Sequence, residues 1–295
     1  MNCKDQKQKK ILNFPARPLK SPKISHVSDK KKFLSPNKNL GQNFLSDPQI
    51  CDQVALSAGN LSSKLVIEIG PGMGHLTRAI AILHPGVEII GIEVDKRFIP
   101  ILDQIASYNN SCKIQMIEGD ALQFDFQSLV EKNDKKAIKI IANLPYNIGT
   151  ELLFMWLNVD FLSHIESISV MLQKEVVNRI IASNKSKAYC WLSILSQLLC
   201  DVDLLFDVPK ESFFPQPKVV SSVVSLVPKQ KVIEHNIKKL KTICHELFLH
   251  RRKTVMSIIK NSNELSHLLP YMSREMLAGR PEDLDIATLC RLSLV

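Results

Sequence analysis

The densest chemistry in this chain sits in Asn143-Leu144-Pro145-Tyr146. An apolar segment, Ala137 to Ala142, runs into a side-chain amide that is followed at once by a proline and an aromatic ring. Proline pins its own φ and biases the preceding residue toward extended backbone, so a buried strand is expected to end here. Open α/β sheets keep their ligands at the C-terminal ends of strands. There an amide can bond the exocyclic amino group of a flat heterocycle while a ring stacks on its face. Taken alone, the four residues read at least as well as a plain turn with Asn143 as its cap.

Other strand ends carry related chemistry. Lys64 to Gly74 reads as a buried strand, a glycine-rich turn at Gly70, Gly72 and Gly74, and the start of a helix from His75 to Leu83. The strand Val87 to Ile92 ends in Glu93-Val94-Asp95. Glu93 lies 23 positions past Gly70, near the ~20 at which an acid reaches a ribose hydroxyl in nucleotide-binding βαβ units. The turn is Gly-x-Gly-x-Gly rather than the dinucleotide Gly-x-Gly-x-x-Gly, so a pyrophosphate is not the obvious ligand. It better suits a small polar group such as the carboxypropyl chain of S-adenosylmethionine (AdoMet). A third strand, Lys113 to Ile117, leads to Glu118-Gly119-Asp120-Ala121, where Asp120 can accept from an adenine amino group or cap the next turn. Four successive strands thus deliver polar or glycine-rich groups to one rim. Gln42 and Asn43 precede a helix that Asp47 and Pro48 can start, and their amides can serve a ligand or local capping.

The elements that must position these residues follow from the same patterning. A helix is expected over Lys96 to Tyr108, another over Thr150 to Leu157, and a fifth strand over Glu166 to Leu172. That strand runs into Gln173-Lys174-Glu175, which opens a helix. A further helix, Ala188 to Leu199, precedes a sixth strand, Val202 to Val208, and a seventh spans Val219 to Val227. Between them, Phe213-Phe214-Pro215-Gln216-Pro217-Lys218 is a stiff extended loop whose prolines hold the Phe214 ring at low entropic cost. A core plug is the competing role for Phe214. From Glu234 onward the pattern is helical, with Leu240, Ile243, Leu247 and Phe248 on one stripe. The basic run Arg251-Arg252-Lys253 reads as a phosphate contact or as the charged end of a helix.

Composition sets the remaining bounds. The 295 residues are 45% hydrophobic and 6% aromatic, ordinary for a globular enzyme of one large α/β domain and a smaller one. The whole net charge of +9 falls in residues 1–38, where 11 Lys and Arg face only Asp5 and Asp29. That stretch reads as a disordered basic arm. Residues 39–204 hold 13 basic and 18 acidic side chains, and 205–295 hold 14 and 9. Basic ends around an acidic middle point to a polyanion gripped from the ends. The seven cysteines form no Cys-x-x-Cys and have no His at ligand spacing, which argues for a reducing cytosol and against a zinc site. No apolar run approaches the ~18 residues of a membrane span. The N-terminus lacks the apolar core of a secretory signal and is too Arg-poor for a transit peptide.

Together these motifs resemble the small-subunit (16S-type) rRNA adenine N6,N6-dimethyltransferases over about residues 38–290. The resemblance is carried by Gly41-Gln42-Asn43-Phe44-Leu45, Glu68-Ile69-Gly70-Pro71-Gly72, Glu93-Val94-Asp95, Gly119-Asp120-Ala121 and Asn143-Leu144-Pro145-Tyr146-Asn147-Ile148. Met171-Leu172-Gln173-Lys174-Glu175-Val176, Phe214-Pro215-x-Pro217-Lys218-Val219 and Arg251-Arg252-Lys253-Thr254 extend it. The family usually has Asp where this chain has Val220 and Gly where it has Cys190, and its N-terminal arm is usually shorter. The resemblance implies a Rossmann-like class I AdoMet-dependent methyltransferase: an α/β fold with a seven-stranded sheet, its last strand antiparallel, plus a small all-helical C-terminal domain. The expected domains are an arm at 1–38, a methyltransferase domain at 39–231 and the helical domain at 232–295.

Carried over residue by residue, the resemblance assigns Asn43 and Leu45 to the cofactor from the N-terminal side. It puts Gly70 at the methionine end, Glu93 at the ribose hydroxyls, Asp120 at the adenine, and Asn143 between cofactor and target amine. Leu144, Tyr146 and Phe214 would join Asn143 in holding an extruded adenine. The implied reaction gives N6,N6-dimethyladenosine at two adjacent adenosines of small-subunit rRNA during maturation of the small ribosomal subunit. The enzyme is expected to be cytoplasmic, monomeric and metal-free. A sister group acting on large-subunit rRNA and a non-catalytic nucleic-acid-binding branch are the competing readings. Arg251-Arg252-Lys253-Thr254 and the helical tail favour the small-subunit branch.

Overall fold

A computed structural model describes residues 35–133 and 136–295, so the basic arm lies almost wholly outside the described residues. Nine strands are described. They are β1 (Phe44–Leu45), β2 (Leu65–Ile69), β3 (Glu88–Glu93), β4 (Lys113–Glu118), β5 (Ile138–Asn143), β6 (Ile165–Gln173), β7 (Cys200–Val208), β8 (Phe213–Phe214) and β9 (Ser221–Pro228). Seven form one sheet in the order β4-β3-β2-β5-β6-β9-β7. Neighbours from β4 to β6 pair in parallel, whereas β9 runs antiparallel to both β6 and β7. This is the seven-stranded sheet with its last strand reversed that the family resemblance implies.

The strands are β-branched and apolar because both faces are covered. Along β2, Leu65, Ile67 and Ile69 enter one hydrophobic cluster while Val66 enters another. Along β5, Ile138, Ile140 and Ala142 join the first and Ile141 the second. This is the two-residue period of a strand with a core on each side. Helices Pro48–Ser57 and His75–Leu83 cover one face. Helices Gly149–Trp156, Val159–Leu162 and Trp191–Leu199 cover the other. The first cluster, under these three helices, runs on without a break into Leu240, Ile243, Cys244 and Leu247 of helix Ile237–Leu249, and into Val255, Ile258, Ile259 and Leu289 beyond it. Past β9 the described residues contain only helices and turns.

Local chemistry starts several of these helices. Asp47 caps Pro48–Ser57 by accepting from the backbone N–H groups of Gln49 and Ile50. Gly74 opens His75–Leu83 in a left-handed conformation. Helix Ile99–Tyr108 begins three residues later than the pattern suggests, because Asp95 to Phe98 form a turn held by the Asp95 side chain and backbone. The short helices Phe126–Glu131 and Val159–Leu162 are absent from the sequence-based account, and so is a strand pair: β1 pairs antiparallel with β8, Phe44 opposite Phe214 and Leu45 opposite Phe213.

Candidate active site

Strand ends and loops converge on a cleft at the C-terminal rim of the parallel strands. Asn43, Leu45, Gly70, Glu93, Asp120, Asn143, Leu144 and Tyr146 all line it, and Phe214 does not.

The floor is built by the turn after β2. Gly70 and Gly72 have φ of 63° and 55°, in the left-handed region that glycine enters at little cost. The turn presents the Gly72 N–H to Glu93 Oε2 at 2.8 Å. A Cβ at Gly72 would approach the Phe44 ring to 3.0 Å, so glycine also makes room for the N-terminal segment above it. Glu93 ends β3 and is 3% exposed. Its Oε1 accepts from the Asp95 backbone at 2.8 Å. Burial nevertheless holds its carboxyl above the ordinary carboxylate range. Each oxygen keeps acceptor capacity, since a carboxylate oxygen carries two lone pairs.

Asp120, just past β4, accepts from the Leu122 backbone at 3.0 Å and from Gln123 Nε2 at 3.3 Å. It therefore caps the following turn and lines the cleft at once; the two roles weighed from sequence do not compete. Asn143 is the last residue of β5. Its Nδ2 donates to the Asn43 backbone carbonyl at 3.1 Å, which leaves Oδ1 as the acceptor toward the cleft. The Leu144 N–H donates to the Met171 carbonyl at 3.2 Å. The Pro145 carbonyl accepts from Ile148 and Gly149 at 3.2 and 2.9 Å, starting the next helix. The strand end is thus rigid on both sides of the amide. Tyr146 is half-buried, with its hydroxyl 2.6 Å from Ser221 Oγ. Burial raises its pKa, so the phenol stays neutral.

The N-terminal segment spans the cleft, tied down at several points. Gln42 Nε2 donates to Asp95 Oδ2 at 2.8 Å. Asp95 also takes Arg97 Nη2 at 2.6 Å and Nε at 2.8 Å, and this guanidinium lowers its carboxyl to about 2. The Leu45 carbonyl meets His75 Nδ1 at 2.8 Å, and the β1–β8 pair adds the tie to Phe214. Gln42 is thus a tether here.

Phe214 is 55% exposed while its neighbour Phe213 is 4% exposed, which rules out the core plug. Glu68 is a cleft-lining residue the sequence reasoning passed over. It is 1% exposed, takes the Thr77 hydroxyl at 2.7 Å, and burial pushes its carboxyl up to about 8. The signal was present: one acid inside the otherwise apolar Leu65-Val66-Ile67-Glu68-Ile69. The Arg251-Arg252-Lys253 run forms the turn after helix Ile237–Leu249. Arg251 donates to the Lys187 carbonyl at 2.7 Å, while Arg252 and Lys253 are exposed.

The chain matches the family model described as ribosomal RNA adenine dimethylase over residues 34–278. The "Ribosomal RNA small subunit methyltransferase A" of Wolbachia pipientis wMel is 38% identical to it over 268 residues, 90% of each chain. A dimethyladenosine transferase from Plasmodium falciparum has a similar structure, with a TM-score of 0.71 at 28% identity, covering 85% of this chain and 96% of that one. The 23S rRNA methyltransferase ErmE has a TM-score of 0.61 at 20% identity, covering 86% of this chain and all of the other, a likeness of fold. Matched over most of its length in sequence and in fold, this chain belongs to the ribosomal RNA adenine dimethylase family.

Proposed function

We infer that this chain dimethylates the N6 amino groups of adenosines in small-subunit rRNA, with AdoMet as methyl donor. The observation that carries the catalytic reading is the Asn143 amide, whose nitrogen is committed to the Asn43 carbonyl and whose oxygen is left as an acceptor. An exocyclic adenine N–H needs an acceptor there.

The cleft fits the donor. Two left-handed glycines, Gly70 and Gly72, bring backbone close to whatever lies above them, and Asn43 and Leu45 wall the cleft from the N-terminal side. Glu93 and Asp120, at the ends of neighbouring strands, supply carboxylate acceptors for ribose hydroxyls and an adenine amino group. When bound, AdoMet supplies an electrophilic methyl group. The N6 lone pair of adenine is delocalised into its ring, which makes the amine a poor nucleophile. Asn143 Oδ1 and the Leu144 carbonyl, accepting from N6–H, would favour a pyramidal nitrogen with its lone pair aimed out of the ring plane. Positioning of this kind supplies much of the rate. Tyr146 would stack on a base that has left its helix, and Phe214, paired with the cleft-lining Phe44, would flank it.

In this reading residues 39–231 are the catalytic domain and 232–295 a helical domain that grips the rRNA of an immature small subunit through phosphates. The protein acts as a monomer in the cytoplasm. Among the described residues no helix is long and apolar enough to cross a membrane, and no His, Cys, Asp and Glu cluster could hold a metal.

The test offers labelled AdoMet to small ribosomal subunits that lack the modification, with large-subunit RNA in parallel. Label in dimethyladenosine of the small-subunit RNA alone is expected. Cofactor binding without such label would defeat the enzymatic reading, and label in large-subunit RNA would move the substrate.

A further inference from the structure

Tyr146 lines the cleft and carries a hydroxyl on its ring. Its hydroxyl lies 2.6 Å from the Ser221 hydroxyl, across 75 positions of sequence. Ser221 is fully buried and is the first residue of β9. Because β9 is reversed relative to its neighbours, its first residue reaches the rim at which β5 ends. In the ladder Ser221 stands opposite Gln173, the last residue of β6, and Val208, the last of β7. A parallel strand would bring its C-terminal end to this rim, not its start.

The start of β9 is itself held. Ser222, facing the other way, donates to Asp207 Oδ1 at 2.6 Å. Lys174 donates to Asp207 Oδ2 at 2.6 Å through Nζ and to the Val220 carbonyl at 2.9 Å through its backbone N–H. Ser221 therefore has a fixed origin from which to aim Tyr146. The tilt of a stacked base follows the plane of the ring beneath it, and that tilt sets where the N6 lone pair points.

We propose that Ser221 is a positioning residue for the target adenine, setting the plane of the Tyr146 ring through the hydroxyl–hydroxyl bond. This rests on the assignment of Tyr146 as the stacking residue. One neutral hydrogen bond predicts effects of about three- to tenfold. Because both partners act through one bond, their effects should not add.

The experiment is a double-mutant cycle of Tyr146→Phe and Ser221→Ala with small subunits lacking the modification. Each single variant should lower kcat/KM for the subunit about three- to tenfold, and the double variant no further. AdoMet affinity should stay at the wild-type level, and the melting temperature should fall only by the few degrees that one lost hydrogen bond costs. An additive double variant, or a silent Ser221→Ala, overturns the proposal. A readout independent of turnover uses protein labelled with 13C in its four tyrosines. Ser221→Ala should shift the Tyr146 ring resonance, assigned with Tyr146→Phe, and leave exposed Tyr108 and Tyr271 in place. An unmoved Tyr146 resonance overturns the tie even if methylation proceeds. A wild-type protein that binds AdoMet but labels no subunit defeats the functional reading instead, and the resonance still reports whether Ser221 holds the ring.

Discussion

A side-chain amide can present either end to a ligand, and here the protein has chosen. The Asn43 carbonyl takes the Asn143 nitrogen at 3.1 Å, so the oxygen is the end offered to a donor in the cleft. Asn143→Ala should therefore lower kcat about 10²–10³-fold, the usual cost of losing one preorganised polar contact at a reacting centre. AdoMet affinity, read by calorimetry, should fall far less, since Gly70, Glu93 and Asp120 remain; equal losses in both would make Asn143 a binding residue only. Glu68 carries a different prediction. Burial pushes its carboxyl up to about 8, so above the ordinary value of 4.5 the folded chain keeps a proton that the unfolded chain has released. Stability is then lost as pH rises from about 4.5 to about 8 and is level beyond. Glu68→Gln keeps the acceptor for Thr77 and escapes this loss. Thermal melts should show the variant matching wild type near pH 5 and melting higher near pH 8.5, by roughly 2–4 °C for each kcal/mol recovered. Coincident melts at both pH values would mean Glu68 is ionised in the folded chain.

Helices and the long strands could be read from sequence because their signal is local. The apolar run of Leu65 to Ile69 and the cap at Asp47 need no knowledge of the rest of the chain. The N-terminal segment could not be read this way. Its ties run from Gln42 to Asp95, 53 positions on, and from Asn43 to Asn143, 100 positions on. Its strand pairing involves two residues on each side, too few for any periodicity. Gln42 therefore looks like a spare amide in sequence and proves to be a tether. The same segment is open to test at Gly41, which has φ of 62° and where a Cβ would come within 2.7 Å of Asn147 Oδ1. Gly41→Ala should lift the segment and weaken AdoMet binding by about tenfold, a shift of about 1.4 kcal/mol. Gln42→Ala should act in the same direction and less strongly. Titration calorimetry measures both, and unchanged affinity in Gly41→Ala would show that the segment does not enclose the donor.

For the molecule as a whole, the charge distribution separates the two tasks. The rim of the sheet carries carboxylates and amides suited to a small ligand, and basic residues outnumber acidic ones by 14 to 9 over 205–295. The helical part joins the sheet through one continuous hydrophobic cluster, so a phosphate held there is at a set distance from Asn143. Arg251 contributes to that rigidity through the Lys187 carbonyl, whereas Arg252 and Lys253 stand exposed beside it. Sequence left this run balanced between phosphate contact and charged helix end. The structure assigns Arg251 a backbone partner and leaves its two neighbours as the pair to test. A phosphate contact releases counterions, so each lost contact reduces the dependence of log K on log salt by about 0.7–0.9. Replacing Arg252 and Lys253 together by Ala should flatten that slope by about 1.4–1.8 for binding to small-subunit rRNA. AdoMet affinity should not change, because neither residue lines the cleft. An unchanged slope would return the two side chains to the role of a solvated helix end and put the phosphate grip elsewhere on the molecule.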